Sequence, residues 1–268
     1  MSKIKRLRIN AVGTDYFIGD IHGCYSALVI ALRRKNFNPL VDRLFSTGDL
    51  TDRGPESHRV FEFLDYPWFH PVLGNHEAMA YQTAKLFLAS GRPYDIDYLK
   101  SNNANARIFL DYGGEWMLNA TDDFLIELIR RYESLPIAIE YVDQSDALLA
   151  VVLHAEVGIN DHWDQVRSDL NSLPADYVFD LENKANRTSS MLATVGNLLW
   201  SRTINETSLL KNVFKRRALS TSGAPLVISG HTIVAPGNGP WRVKNHRFID
   251  HGLYDSGKAE IYTYAEIV

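Results

Sequence analysis

Five short strings in the sequence are built alike: an apolar run, a small residue or none, then polar groups. They are Gly19-Asp20-Ile21-His22-Gly23, Gly48-Asp49-Leu50-Thr51-Asp52-Arg53-Gly54, Gly74-Asn75-His76-Glu77, His154-Ala155 and Gly230-His231-Thr232. Singly, each is ordinary: Gly-Asp after a strand is common turn chemistry, and Asn75 suits a helix cap. Together they supply Asp20, His22, Asp49, Asn75, His154 and His231, a donor set of oxygen and nitrogen without sulfur. Mixed imidazole and carboxylate ligation suits Mn, Fe or Zn better than Ca or Mg alone. Six donors are too many for one open catalytic ion but suit two ions sharing a bridging carboxylate. Asp49, central in the set, is the choice for the bridge. Two divalent ions outweigh the two carboxylates, and the neutral donors preserve that positive surplus, which attracts a phosphate dianion. Paired ions about 3.5–4 Å apart clamp the attacking and leaving oxygens of an in-line displacement at phosphorus.

Something must carry these strings to one place. Apolar runs at 16–18, 44–46 and 71–73 each lead into a glycine string, and helical spacing follows at 26–34, 56–64 and 78–88. Strand, turn and helix three times over predict βαβ units, in which ligands collect at the carboxyl ends of the strands. Residues 90–115, rich in Gly, Asn, Asp and Tyr, read as an excursion from the sheet. A helix is expected over 124–132, with Leu125, Leu128 and Ile129 on one face, and strands over 137–142 and 148–153. Residues 156–186 look irregular, with Trp163 and Tyr177 scattered through them; a helix returns at 189–199, and three strands follow at 225–229, 247–250 and 259–264.

Composition narrows the class. The 268 residues are 46% hydrophobic and 22% charged, which excludes a disordered chain and allows a sizeable core. With 28 Lys+Arg against 32 Asp+Glu, the net charge of −4 gives no basic field for nucleic acid, so none is expected as a partner. A single cysteine, Cys24, cannot form an internal disulfide and fits a reducing cytoplasm. Residues 1–8 are basic and read as a solvated end, with no signal-type apolar region after them. The longest apolar stretch, 147–153, is far short of the roughly 18–20 residues that span a bilayer, so no membrane partner is expected. No linker marks a boundary, and a single domain over 1–268 is expected, monomer or otherwise.

GDIHG, GDLTDRGPES, GNHE, the lone His154 and GHT, in this order, resemble the metallophosphoesterases of the phosphoprotein phosphatase family, and within it the bacterial and phage-lambda type of Ser/Thr protein phosphatase. Pro67-Trp68-Phe69, Leu135-Pro136, Trp200-Ser201-Arg202 and Ile249-Asp250 add to the likeness, which runs from Tyr16 to Tyr264. The resemblance implies an α/β fold in which two sheets form a β-sandwich flanked by helices, with the dimetal site at strand carboxyl ends. It also implies hydrolysis of phosphomonoesters on phosphorylated proteins or peptides, by direct attack of a metal-bridging hydroxide, with Mn as the metal and Fe or Zn as alternatives. Asp20, His22 and His231 would hold one ion, Asn75 and His154 the other, with Asp49 between them. His76 would be the general acid, oriented by Asp52; Arg53 and Arg202 would fork onto the phosphoryl oxygens, with Asn75 also facing the substrate. The alternatives are a dinucleoside polyphosphate hydrolase, a phosphodiesterase and a non-catalytic phosphate-binding module.

The sequence departs from the family pattern in places. Glu156 stands where the family usually has Gly or Asp, and His251 where it has a small residue. The extra length over the phage-type enzymes falls at 90–115 and 156–199 and is expected to shape a substrate cleft. His58, His70, His162 and His246 lie outside every motif and read as structural or solvated. Cys24 is expected to be buried and inert.

Overall fold

A computed structural model of the protein describes residues 3–158, 161–174, 189–204, 220–235 and 237–268. Its strands in chain order are β1 (Ile4–Arg8), β2 (Asp15–Ile18), β3 (Arg43–Ser46), β4 (Phe69–Pro71), β5 (Ala138–Val142), β6 (Leu148–Leu153), β7 (Val227–Ser229), β8 (Trp241–Val243), β9 (His246–Phe248) and β10 (Ile261–Thr263). They form two sheets, ordered β1-β5-β6-β7-β9-β8 and β10-β2-β3-β4. The expected βαβ units appear in the smaller sheet, where β2, β3 and β4 pair in parallel and β10 runs antiparallel to β2.

Alternation along the strands builds the layers. Phe17 of β2 and Phe45 of β3 face inward and meet Tyr141 of β5 and Val152 of β6 between the sheets. Tyr16, Ile18 and Leu44 face outward onto α1 (Tyr25–Arg34). On the far side of the larger sheet, Ala138, Val151, Leu153 and Val227 are covered by α3 (Asn75–Ser90), α5 (Ala104–Asp111), α6 (Asp122–Glu133), α7 (Trp163–Ser172) and α8 (Ser189–Trp200). Phe17 and Phe45 stack with centroids 4.9 Å apart, and Tyr141 meets each edge-on at 5.6 and 5.7 Å. The Tyr141 hydroxyl crosses between the sheets to donate to Asp15 Oδ2 at 2.8 Å. Among the described residues, no helix is long and apolar enough to cross a membrane.

Three expectations need correction, and the 90–115 excursion gains its internal structure. The basic start is an edge strand: β1 pairs in parallel with β5, and Arg6 and Arg8 reach Glu140 and Asp146. The expected 56–64 helix is α2 (Ser57–Val60) continued by a 3₁₀ turn over Phe61–Asp65. The 90–115 excursion is largely helical, with α4 (Ile96–Asn102) capped by Asp95, α5 capped by Asn103, and a 3₁₀ turn at Gly114–Asn119. Its Asn and Asp residues start helices rather than break them, because their side chains satisfy first-turn N–H groups. Within the irregular 156–186 stretch, α7 forms on Trp163, Val166 and Leu170; residues 175–186, Tyr177 among them, lie outside the described residues. β8 was also unforeseen.

Two histidines outside the motifs are buried in this frame. His246 Nε2 lies 2.9 Å from Thr221 Oγ1, and burial pulls its pKa down to about 4; burial, with Lys5 nearby, does the same to His70. The unfolded chain therefore binds more protons than the native one between roughly pH 6.5 and 4, and stability falls as pH drops through that window. For His246 the loss at pH 4 is of the order of 3 kcal/mol. His246→Gln is expected to flatten the fall of the denaturation midpoint from pH 7 to 4; an unchanged slope would overturn this assignment.

Candidate active site

Each polar string leaves the carboxyl end of a strand. Asp20 and His22 follow β2, Asp49 follows β3, Asn75 follows β4, His154 follows β6 and His231 follows β7, so both sheets contribute. All six are buried. Asp49 Oδ2 lies 3.6 Å from His22 Nε2 and 3.5 Å from His154 Nε2. His154 Nε2 in turn is 2.8 Å from Asn75 Oδ1 and 3.1 Å from His231 Nδ1. Asp20 Oδ2 stands 4.0 Å from His22 Nε2 and Asp20 Oδ1 3.8 Å from His154 Nδ1. Two donor groups emerge, His22-Asp49-His76 and Asp49-His154-His231, with Asp49 common to both. One expected partition changes: His231 falls with His154, not with Asp20 and His22. Only its backbone N–H turns to Asp20.

The donor set fits divalent cations on its own chemistry. His22 Nδ1 donates to the Thr51 carbonyl at 3.0 Å and His154 Nδ1 to the Thr47 carbonyl at 2.8 Å, which leaves each Nε2 with its lone pair. The His231 ring donates to the Trp200 carbonyl, so lone pairs of His154 and His231 face one another with no proton to share. Burial pushes the His22 pKa down to about 3 and lowers those of His154 and His231, keeping all three in the neutral, ligating form. Burial also raises Asp20, with Asp250 and Asp49 adding their charge.

The backbone is bent hard to make this cluster. Five of the eight non-glycine residues with positive φ among the described residues are His22, Asp49, Asp52, Arg53 and His231. Such conformations cost about 1–3 kcal/mol each and persist only where neighbours enforce them. Two glycines allow the close approach: a Cβ on Gly230 would stand 2.1 Å from Asp20 Oδ1, and one on Gly74 would stand 2.2 Å from Asp49 Oδ1. Glu77 clamps the rest, accepting from the backbone N–H groups of Asp49, Leu50 and Gly74 at 2.8, 2.8 and 2.9 Å.

Beside the donors, His76 Nδ1 is 2.7 Å from Asp52 Oδ2, and Trp116 Nε1 donates to Asp52 Oδ1 at 2.7 Å. Burial alone would depress His76, but Asp49 and the bond to Asp52 outweigh it and leave its pKa above the usual histidine value. Arg53 Nη2 reaches His76 Nε2 at 3.3 Å, and its guanidinium lies over the Tyr254 ring, 4.7 Å from the centroid. Arg202 Nη1 donates to the His231 carbonyl at 2.6 Å, which brings its charge to the same cluster.

Sequence reasoning assigned no role to Glu77, Trp116, Tyr254 or Asp250. Glu77 carried a signal, since Glu three residues past a helix cap is the capping-box position, and Asp250 lay in the Ile249-Asp250 string that added to the likeness; Trp116 and Tyr254 carried none. Glu156 has a use outside the donor cluster: its Oε2 accepts from Ser201 Oγ at 2.9 Å and Ile204 N at 2.8 Å, fixing the turn that bears Arg202. His251 pairs with the Tyr262 hydroxyl at 2.8 Å, as a packed histidine would. Burial pushes the Cys24 thiol up to about 11, which suits an inert residue.

Two mixed sheets flanked by helices, with buried imidazole and carboxylate donors at strand ends, define a metal-dependent hydrolase of phosphoesters. The chain belongs to the calcineurin-like phosphoesterases, whose family profile matches residues 16–235. Serine/threonine-protein phosphatase 2 of Salmonella typhimurium is 30% identical over 250 residues, taking in 92% of this chain and 91% of that protein. The symmetrical bis(5'-nucleosyl)-tetraphosphatase of Klebsiella pneumoniae is 34% identical over 154 residues, which are 56% of this chain and 45% of that protein. A Saccharomyces cerevisiae protein serine/threonine phosphatase shares the fold, with a TM-score of 0.55 at 16% identity over 93% of this chain and 71% of that one. The family implies a dinuclear divalent metal site, and the residues here are grouped to hold one.

Proposed function

We propose that the protein is a phosphoprotein phosphatase acting on phosphoserine and phosphothreonine, with Mn as its metal and the cytoplasm as its workplace. Asp20, His22 and Asp49 would hold one ion, and Asp49, Asn75, His154 and His231 the other. When bound, the ions supply Lewis acidity at the phosphoryl group and lower the pKa of the attacking water. Arg53 and Arg202 orient the phosphoryl oxygens, where a planar guanidinium offers two parallel donors. Arg53 would leave His76 Nε2 for the phosphate, freeing that nitrogen to carry a proton. As the water oxygen bonds to phosphorus, releasing one proton to solvent, and the ester P–O bond breaks, the leaving oxygen takes the proton from His76 Nε2, which is then replaced from solvent. Asp52 accepts from Nδ1 throughout and stabilises the charged imidazole. The products are the free hydroxyl and inorganic phosphate.

The observation that carries this reading is the buried Asp52–His76 pair with Arg53 beside it and Arg202 on the His231 carbonyl of the donor cluster, which suits a terminal phosphoryl group and a basic leaving oxygen. The near full-length likeness to a serine/threonine-protein phosphatase supports it. The shorter likeness to a symmetrical tetraphosphatase favours dinucleoside polyphosphates as the second reading. Turnover of a phosphoserine peptide and of a dinucleoside tetraphosphate, with Mn supplied and then chelated, separates the two. Faster turnover of the peptide is expected; preference for the tetraphosphate would overturn the proposal in favour of the second reading.

A further inference from the structure

We infer that Trp116 is a positioning residue for the Asp52–His76 pair, and that the turn closing the helical excursion braces the proton donor. This rests on the proposed role of His76 as general acid. Both Asp52 oxygens are in use: Oδ2 faces His76 Nδ1 and Oδ1 accepts from the Trp116 indole, each at 2.7 Å, in a fully buried carboxylate. A carboxylate held at one oxygen can swing about its terminal bond; held at both, it presents one fixed acceptor to the imidazole. Loss of the indole N–H would leave Oδ1 buried without that donor, and the carboxylate would turn to share its remaining partners.

A second contact brings the same turn against the next residue. Gly113 has φ +97°, and a Cβ there would stand 2.3 Å from the Arg53 nitrogen, so the turn seats directly on the Asp52–Arg53 backbone. Those two residues sit at φ +72° and +62°, conformations that need outside support. Trp116 is itself fixed, edge-on to Phe124 of α6 at 6.0 Å and against Phe61 at 6.4 Å. The excursion was expected to shape a cleft; its contacts here are with the proton donor's anchor.

A brace of this kind acts only where the leaving oxygen needs a proton. Phenyl phosphate needs one, whereas dinitrophenyl phosphate expels a stable phenolate without it. With the whole chain and Mn supplied, Trp116→Phe is expected to lower kcat on phenyl phosphate about 10-fold and on dinitrophenyl phosphate by less than about 2-fold, with KM unchanged on both. His76→Asn is the reference and is expected to show the same selectivity at larger size. Equal losses on both esters, or none on either, would overturn the brace while His76→Asn still discriminates. If His76→Asn shows no leaving-group selectivity, the acid itself is wrong and the brace falls with it. Should Trp116→Phe fail to fold, benzothienylalanine at position 116 keeps the indole's shape without its N–H and is read by the same criteria.

Discussion

Asp49→Asn is expected to lower turnover by about 10³-fold or more and to leave the protein with fewer than two ions per chain. Its Oδ2 is within 3.6 Å of both His22 Nε2 and His154 Nε2, so it is the atom the two donor groups have in common. Asparagine keeps the shape and tolerates the positive φ found there, but it removes the negative charge that draws the cations together. Elemental analysis after desalting, beside turnover, checks both halves of the expectation. A variant that holds two ions and hydrolyses phosphoserine near the original rate would remove Asp49 from the centre of the site.

The second large effect concerns a residue next to the donors. His76→Asn is expected to lower turnover of phosphoserine about 10²–10⁴-fold while the metal content stays unchanged. His76 Nε2 lies 3.9 Å from Asp49 Oδ2, close enough to be taken for a ligand. Yet the same nitrogen meets the Arg53 guanidinium at 3.3 Å, a cation where a ligand would face an ion. Metal lost together with activity would make His76 a ligand and end its role as acid.

The donor strings were legible in the sequence because each is local: an apolar strand and a donor within a few residues, five times over, with a glycine between them in all but the His154 string. What escaped was held by distant partners. β1 carries Ile4 and Leu7 without clean alternation, and it becomes a strand through β5, more than a hundred residues away. Trp116 reaches Asp52 across 64 positions and Glu156 reaches Ser201 across 45, separations that no spacing rule spans. The grouping of His231 with His154 depends on how β6 and β7 lie side by side, which is a property of the sheet and not of either string.

The donors descend from two sheets, so the gap between the sheets is also the gauge of the metal pocket. Phe17, Phe45 and Tyr141 act as its shim, three rings wedged between the two sheets. Shaving one of them would let the sheets settle and carry Asp49 and His22 out of line with His154 and His231. An enzyme silenced that way would keep every reactive group and touch its substrate with all of them, at the wrong separation.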